Sequence, residues 1–364
     1  MNIRRIIAFA RKEATEILRD RVTLGVAIGM PLVILFLFGY AISLDVEDIA
    51  FGVYDADMSR DSRALVERFS TSEHFTFVHA ARSETDLAQA MQSGQIRLAL
   101  NIPRRFEARL HAGERPQVQL IVDGTYAITA AVTVAYARAL TATFPEMPKA
   151  GAVSETRVWY NPSLRSANYI IPGLIAAILM AFPPMLTALA VTREKETGSI
   201  QQIFASPLTA AEFIVAKLLP YGVIAFVEFL LVLAFGLLWF GVPNHGDLGL
   251  LIGLGLIYVF CTVAIGLFVS CLTSSQLIAM LIAFIVTLMP SFLFSGFLFP
   301  IFTMPAMMQL YAQLFPATYF MEISRGIVMR GATLAELWHH VAVLILFTLV
   351  LIGISVLLLK KKVA

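Results

Sequence analysis

Charged residues, cysteines and nucleotide-binding signatures are scarce or missing in this sequence. Only 14% of its 364 residues are charged, whereas 58% are hydrophobic and the mean hydropathy is +0.78. This composition lies outside the range of soluble domains and is typical of polytopic membrane proteins. The formal net charge of +2 is too small to indicate a nucleic-acid partner.

The missing motifs argue against an intrinsic enzyme. The sequence has no Gx4GK[ST] phosphate-binding loop, no HExxH zinc motif and no GxSxG nucleophile elbow. Its two cysteines, Cys261 and Cys271, fall in one apolar run, where a helix separates them by about 15 Å along its axis, too far for a disulfide. We therefore expect no catalytic residue and no metal or cofactor bound by this chain itself.

Long apolar runs are abundant, and six of them are long enough to cross a bilayer. They cover residues 22–44, 169–192, 213–240, 248–271, 277–299 and 338–359. The first is too long for the apolar region of a secretory signal and follows an organised basic segment, so we interpret it as an uncleaved span. The sequence predicts a polytopic α-helical membrane protein with six transmembrane helices.

Residues 45–168, between the first two runs, have the composition of a soluble domain. Strand patterns alternate there with helix patterns, which predicts an inserted extracytoplasmic α/β domain with helices packed on a sheet. The expected strands cover residues 50–54, 75–78, 96–101, 118–122 and 156–160. Three aspartates, Asp55, Asp57 and Asp61, suggest either a metal loop or turns and helix caps, and their spacing favours the caps because it is not that of an EF-hand.

Basic residues set the expected orientation. Six arginines and lysines precede the first span, three lysines lie in the tail 360–364, and Arg193 and Lys195 open the loop 193–212. By the positive-inside rule both termini and this loop are cytoplasmic, which places residues 45–168 outside. Residues 1–21 have apolar side chains at helical spacing, with Glu13 largely on the other side of the helix; these apolar residues are Ile3, Ile6, Ile7, Ala10, Ala14, Ile17 and Leu18. The pattern indicates either an amphipathic helix on the membrane surface or a solvated charged lead-in.

The loop 193–212 has the pattern of a charged turn followed by a short amphipathic helix. Ser199 and Gln202 have the form of a capping box, and a second box is formed by Thr209 and Glu212. Ile200, Ile203 and Phe204 give the helix between them one apolar side. The alternative is an ordinary loop with a frayed turn.

Two features inside or beside the spans are unusual. Glu228 lies deep in the third span, where a carboxylate is either a functional site or a protonated or hydrogen-bonded structural residue. Residues 300–337 are apolar but interrupted by prolines, so they cannot form one continuous helix. We expect either a segment that re-enters the outer leaflet or a buried outer loop.

The order of these motifs resembles the ABC-2 type permeases, the membrane subunits of ATP-binding-cassette exporters. The resemblance covers almost the whole chain and is carried by Leu18-Arg-Asp20, Pro31, Phe38-Gly-Tyr-Ala41, Phe51-Gly-Val-Tyr-Asp55, Arg193-Glu-Lys-Glu-Thr-Gly198, Ser206-Pro-Leu208, Ser295-Gly-Phe297, Phe299-Pro300, Met304-Pro305, Phe315-Pro316, Thr318-Tyr319, Arg325-Gly326 and Arg330-Gly331. Within the family it is most similar to the bacterial efflux subgroup with a large external domain between the first two spans.

The resemblance implies a bacterial inner-membrane protein that pairs with a second permease, itself or a paralogue, and binds a cytoplasmic ATPase that carries ATP and Mg. It implies that the ATPase is met by a coupling helix, with these residues in contact: Arg193, Glu194, Lys195, Glu196, Ile200, Ile203 and Phe204. A hydrophobic or amphipathic drug or lipid-like compound would leave through a cavity at the dimer interface. The walls of this cavity would come from the second and fifth spans, for which we select Phe182, Pro183, Met185, Phe292 and Phe294.

Two further hypotheses concern the assembly. A periplasmic adaptor is a possible additional partner of the external domain. The chain is alternatively a membrane scaffold that transmits motion to such an envelope protein without passing any substrate.

Overall fold

The computed structural model describes residues 2–41, 48–114, 116–123, 127–142, 144 and 165–361. It divides the chain into two compact units. The helical unit comprises residues 1–42 and 158–364, and the sheet unit comprises residues 43–157.

Six helices among the described residues of the helical unit are long and apolar enough to cross a membrane. They are α2 (Arg21–Ala41), α7 (Ser166–Glu196), α9 (Ala210–Leu238), α10 (Leu248–Leu272), α11 (Gln276–Leu293) and α14 (Leu334–Lys361). The prediction of a multi-pass helical membrane protein is confirmed.

Helix α7 lies at the centre of the helical unit. Most of its residues are buried, and α2, α9, α10 and α11 pack around it. Helix α10 passes α7 at Gly266, where any β-carbon would overlap the carbonyl oxygen of Pro184. About two turns earlier in α10, the hydroxyl of Tyr258 donates a 2.7 Å hydrogen bond to the carbonyl of Ala176. Because Gly266 has no side chain, the backbones of α7 and α10 approach closely there, and the two helices form one tightly packed pair.

The ends of two predicted spans differ from the structure. Helix α7 continues to Glu196, so the charged residues expected in a turn form its last helical turn instead. Helix α11 stops at Leu293, six residues short of the expected end, because Gly296 has a positive φ of 86° and Pro300 follows. Helix α9 runs unbroken through Pro220.

The proline-rich segment after α11 folds in three short helical pieces, as the prolines predict. They are a 3-10 helix (Ile301–Thr303), α12 (Ala306–Ala312) and α13 (Pro316–Arg330). Arg325 of α13 stacks its guanidinium 3.6 Å from the ring centre of Tyr169 and donates to the carbonyls of Tyr169, Gly296 and Phe297. This arginine fastens the segment to the start of α7.

Helix α1 (Ile3–Arg19) is amphipathic and packs on α9. Ile6 and Ile17 are buried, as their helical spacing predicts, and Phe9 is buried as well. Ile3, Ile7 and Leu18, which were expected on the same apolar side, are exposed. Glu13, expected on the polar side, is 2% exposed.

The sheet unit contains four described strands in the order β2-β1-β3-β4. Strand β1 (Ile49–Asp55) runs parallel to β2 (Phe75–Ala80) and β3 (Leu98–Ile102), and β4 (Gln119–Val122) pairs antiparallel with β3. The helices of the unit are α3 (Arg60–Ser70), α4 (Glu84–Gln92), α5 (Phe106–His111) and α6 (Ala127–Ala142). The fifth predicted strand, 156–160, lies outside the described residues.

Two of the aspartates considered for a metal loop hold turns in the sheet unit. Asp55 accepts hydrogen bonds from the backbone of Asp57 and Met58 and from the hydroxyl of Ser62. Asp57 accepts from the backbone of Glu107 at 3.0 Å, and this N–H holds the pKa of Asp57 below its ordinary value. These contacts match the interpretation as turns and caps.

Candidate functional site

The connection between α7 and α9 contains one short helix, α8 (Ser199–Ala205). Gly198 precedes it with a φ of 74° and no side-chain cap, so the predicted capping box of Ser199 and Gln202 is wrong. A glycine in the left-handed region turns the chain there without a side-chain cap. The second predicted box is present, because Thr209 and Glu212 exchange both hydrogen bonds at the start of α9.

The last turn of α7 carries four charged residues, and each of them contacts a different part of the helical unit. Arg193 pairs with Asp20, between α1 and α2, at 3.2 Å. Glu196 accepts a 2.6 Å hydrogen bond from the backbone of Gln276, the first residue of α11. The end of α7 is thereby joined to the α1–α2 junction and to α11.

Lys195 makes the contact to α10. Its ammonium group donates to the carbonyl oxygens of Ser270 and Thr273, the latter at 2.9 Å. These carbonyls belong to the end of α10, where helical C=O groups have no partner within the helix and a cation is favoured. The lysine therefore caps α10 from the neighbouring helix.

Glu194, the remaining charged residue of this turn, belongs to a buried charge cluster formed by Lys12, Glu13, Glu194 and Lys217. Lys217 lies in α9 with 1% of its side chain exposed and contacts Glu13 at 2.8 Å and Glu194 at 2.9 Å. Lys12 contacts the same two carboxylates, each at 3.1 Å. Burial of these charges costs desolvation free energy, which is offset because each charge is paired. The charge cluster ties α1, α7 and α9 together at one point.

The electrostatics of the charge cluster keep its α1 members ionised. Burial alone would raise the pKa of Glu13, but the adjacent charges of Lys217 and Lys12 outweigh it and hold that pKa below the ordinary value. Burial likewise opposes the charge on Lys12, and contacts with Glu16, Glu13 and Glu194 raise its pKa nonetheless. At neutral pH the two residues are an anion and a cation.

The carboxylates of this region have the spacing of a metal site. Glu13, Glu16 and Glu194 offer oxygens within 4.8 Å of one another, and the ammonium groups of Lys12 and Lys217 already lie among them. The lysines supply the positive charge that a divalent ion would bring. A second such group in the sheet unit consists of Asp61, Glu107 and His111.

A cleft of about 990 Å³ opens beside the charge cluster. Its walls come from α1, the end of α7, α8 and the start of α9. Gln202 and Ile203 of α8 and Leu208 line it, and Ile203 and Leu208 also pack against the core. Ile200 is half-buried, and Gln201, Gln202 and Ala205 are exposed. Phe204 follows Ile203 in α8.

The five residues selected for a substrate cavity lie on α7, on α11 and directly after α11. Phe182 and Pro183 are buried in α7, and Met185 is half-buried there. The ring of Phe292 packs against those of Phe38 and Phe297, and Phe294 packs against Tyr311. Of the five, only Pro183 lines a pocket described for this part of the chain, a small one that also contains Glu228. Their role in transport stays a prediction.

Comparison with known proteins assigns the family. Residues 21–357 match the family described as ABC-2 family transporter protein. The chain belongs to the ABC-2 transporter family. It is 30% identical over 371 residues to the probable multidrug ABC transporter permease YbhS of Escherichia coli K12, covering 99% of this chain and 97% of that protein.

More distant relatives extend the same result. The chain is 29% identical over 350 residues to the probable multidrug ABC transporter permease YbhR of Escherichia coli K12, covering 94% of this chain and 95% of that protein. It is 24% identical over 376 residues to ABC transporter G family member 20 of Dictyostelium discoideum, covering 98% of this chain and 50% of that protein. Membership in this family implies an ABC transporter permease, with an ATPase as partner and permeases acting in pairs.

Reasoning from the sequence missed the partners of Glu194 in this ABC-2 permease. Lys217 was counted inside an apolar run, and Glu13 was assigned to the solvated side of α1. A lysine near the start of a span and a glutamate on an amphipathic helix indicate an ion pair only when they are considered together. The sequence alone does not pair them, because they lie 204 positions apart. Glu194 points inward. Its carboxylate is therefore not part of the outer surface of the α7–α9 corner, the region formed by the end of α7, α8 and the start of α9.

Proposed function

We propose that the chain is the permease subunit of an ABC exporter that moves a hydrophobic or amphipathic compound, a drug or lipid-like molecule, out of the cytoplasm or the inner leaflet. The observation that carries the proposal is the last turn of α7. Within four residues it contacts the α1–α2 junction, the charge cluster, the end of α10 and the start of α11. A displacement of α8 would therefore be transmitted through the last turn of α7 to most of the described helices of the helical unit.

The ATPase would bind at α8, with Arg193, Glu194, Lys195 and Glu196 transmitting its movement. The exposed side of α8 is small and uncharged, with Gln201, Gln202 and Ala205. Such a face can dock in a shallow groove while neighbouring charges set the register. ATP bound by the partner biases the permease between two states, because the closed ATPase holds α8 in only one of its positions.

The expected orientation follows from the basic residues of the short segments. The α7–α9 corner, α1 and the C-terminal lysines would face the cytoplasm of a bacterial inner membrane, with the sheet unit outside. In this arrangement α1 lies along the inner membrane surface and the sheet unit is available to a periplasmic adaptor. Exposed apolar side chains of α2, α11 and α14 would face lipid and a second permease, either this chain or a paralogue.

The proposal is tested by ATP-dependent uptake of a labelled lipophilic compound into inverted vesicles that contain the permease and its ATPase. We expect uptake that requires ATP and is lost when the ATPase is omitted. The names of the two Escherichia coli relatives direct the choice of compounds toward drugs.

The scaffold hypothesis predicts a different result in the same vesicles. ATPase activity that depends on the permease, with no uptake for any compound, would contradict the exporter and favour motion passed to an envelope protein. Vesicles that hold a permease with an intact fold but no ATPase provide the baseline.

A further inference from the structure

Glu228 has no hydrogen-bond partner for either carboxylate oxygen among the described residues. It lies in α9 and is 1% exposed. A buried polar group without a partner is costly, and such groups are commonly kept for binding or for chemistry. Neither the fold nor the proposed coupling corner uses this carboxylate.

A pocket of about 10 Å³ lies against Glu228. A cavity of this size holds about one water molecule, and an ammonium nitrogen is of similar size. Helices α1, α2, α7 and α9 form the walls, with Ile17, Ala27, Pro183 and Ala225 among the lining residues. The walls are almost entirely apolar, so the carboxylate is the dominant polar feature of the pocket.

The pocket adjoins the 990 Å³ cleft beside the charge cluster. Four residues, Ile17, Thr23, Leu186 and Tyr221, line both spaces. A ligand in the cleft therefore contacts side chains that also line the pocket of Glu228. The ring of Tyr221 provides an aromatic face of the kind that attracts cations.

The hydrogen-bonding groups around the pocket indicate which kind of ligand fits it. The hydroxyl of Thr187 already donates to the carbonyl of Pro183 at 2.8 Å, and that of Thr23 donates to Asp20 at 2.8 Å. The carbonyl of Ala27 lacks its helical donor because the residue four positions on is Pro31. Carboxylate and carbonyl oxygens accept hydrogen bonds, so a hydrogen-bond donor fits this pocket.

We propose that Glu228 is the binding site for the protonated amine of a lipophilic ligand whose apolar part occupies the adjoining cleft. The ammonium group donates to the carboxylate and neutralises it in a place that water does not reach freely. This inference deepens the proposed function by giving the exported compound a positive charge, and it is tested by binding rather than by transport.

The test is a fluorescence titration of the full chain in lipid nanodiscs with two matched probes. Dansyl-ethylenediamine carries a primary amine, and N-propyl dansylamide is a neutral analogue of nearly the same size. We expect the wild-type chain to bind the amine about tenfold more tightly than the neutral probe, in line with one charged hydrogen bond. Empty nanodiscs correct for partition into lipid.

Variants locate the binding. Glu228→Gln keeps the shape of the side chain and is expected to lower amine affinity to that of the neutral probe, without changing binding of the neutral probe. The matched control is Glu322→Gln, which removes the same charge from α13, where Glu322 pairs with Arg330 at the surface. It should leave both affinities unchanged.

Two results would overturn the inference. One is equal binding of the two probes by the wild-type chain, and the other is unchanged amine affinity in Glu228→Gln. If that variant does not fold, Glu228→Asp replaces it, with a reduced amine preference expected. Amine binding without ATP-driven uptake would contradict the exporter function and support the amine site at Glu228. Uptake without a preference for the amine probe would support the exporter function and contradict the amine site.

Discussion

Lys217 shows how single residues organise the α7–α9 corner. Its ammonium group is buried between two carboxylates that belong to different helices, Glu13 of α1 and Glu194 of α7. Removing one member of a buried ion pair leaves the other charge uncompensated, whereas an exposed pair contributes little. The stability of α1 on the helical unit therefore depends on this residue.

We expect Lys217→Met to destabilise the protein by about 3–5 kcal/mol, because Glu13 and Glu194 stay buried with less compensation. The control is Lys12→Met, which removes the partly exposed lysine from the same charge cluster and should cost about 1 kcal/mol or less. Thermal unfolding in detergent gives the difference. Equal losses in the two variants would contradict a special role of the buried lysine.

The pH dependence of α1 follows from Glu13. Its pKa in the folded protein lies below the ordinary value of 4.5, so the unfolded chain takes up the proton first as pH falls. The stabilisation is fully present above pH 4.5 and is lost as pH falls through the lowered pKa of the folded state. Protease protection of α1, measured from pH 7 downward, should decline only in that acidic window, and Glu13→Gln should remove this part of the decline.

At the scale of elements, α8 and the last turn of α7 differ in what their side chains contact. The charges of that turn are occupied within the chain, by Asp20, Lys12, Lys217, the end of α10 and Gln276. The exposed side of α8 carries no such contacts. Docking and transmission are therefore separable by substitution.

Gln201→Trp is expected to abolish co-purification of the ATPase while the permease keeps its fold, because the bulky ring obstructs the exposed side of α8. Gln92→Trp, at an exposed position of α4 in the sheet unit, is the control for the added ring. Retention of the ATPase by Gln201→Trp would mean that docking uses another surface.

The sequence predicts elements well where the signal is local. The apolar spans are long, and the capping box of Thr209 and Glu212 is contained in four residues, so both were found. The box at Ser199 failed because it competes with Gly198, whose positive φ turns the chain first. The burial of Glu194 was out of reach, because it depends on two lysines from distant parts of the chain. A charge reversal at Glu194 therefore tests the fold of the corner, and docking is better tested on α8.

At the scale of the whole molecule, the tight pair of α7 and α10 limits how the permease can change shape. No side chain fits at Gly266, so the pair cannot slide or rotate without separating. We infer that α7 and α10 move together, and that change occurs where packing is looser, along α1 and α9 beside the cleft.

Gly266→Ala should lower stability by about 1–3 kcal/mol by forcing the two helices apart, and should reduce transport while the ATPase stays bound. Gly253→Ala is the control on the same helix, because no atom lies within 4 Å of the added methyl group. It should be neutral or slightly stabilising, since alanine favours helix. Thermal unfolding and vesicle uptake measure both effects, and equal behaviour of the variants would contradict the rigid pair.

The charge cluster also determines how the corner responds to voltage. The formal charges of its two lysines and two glutamates sum to zero. Displacing one elementary charge across a membrane at 100 mV takes about 2.3 kcal/mol. We infer that the membrane potential does almost no net work when the charge cluster is displaced as a unit, because its formal charges cancel.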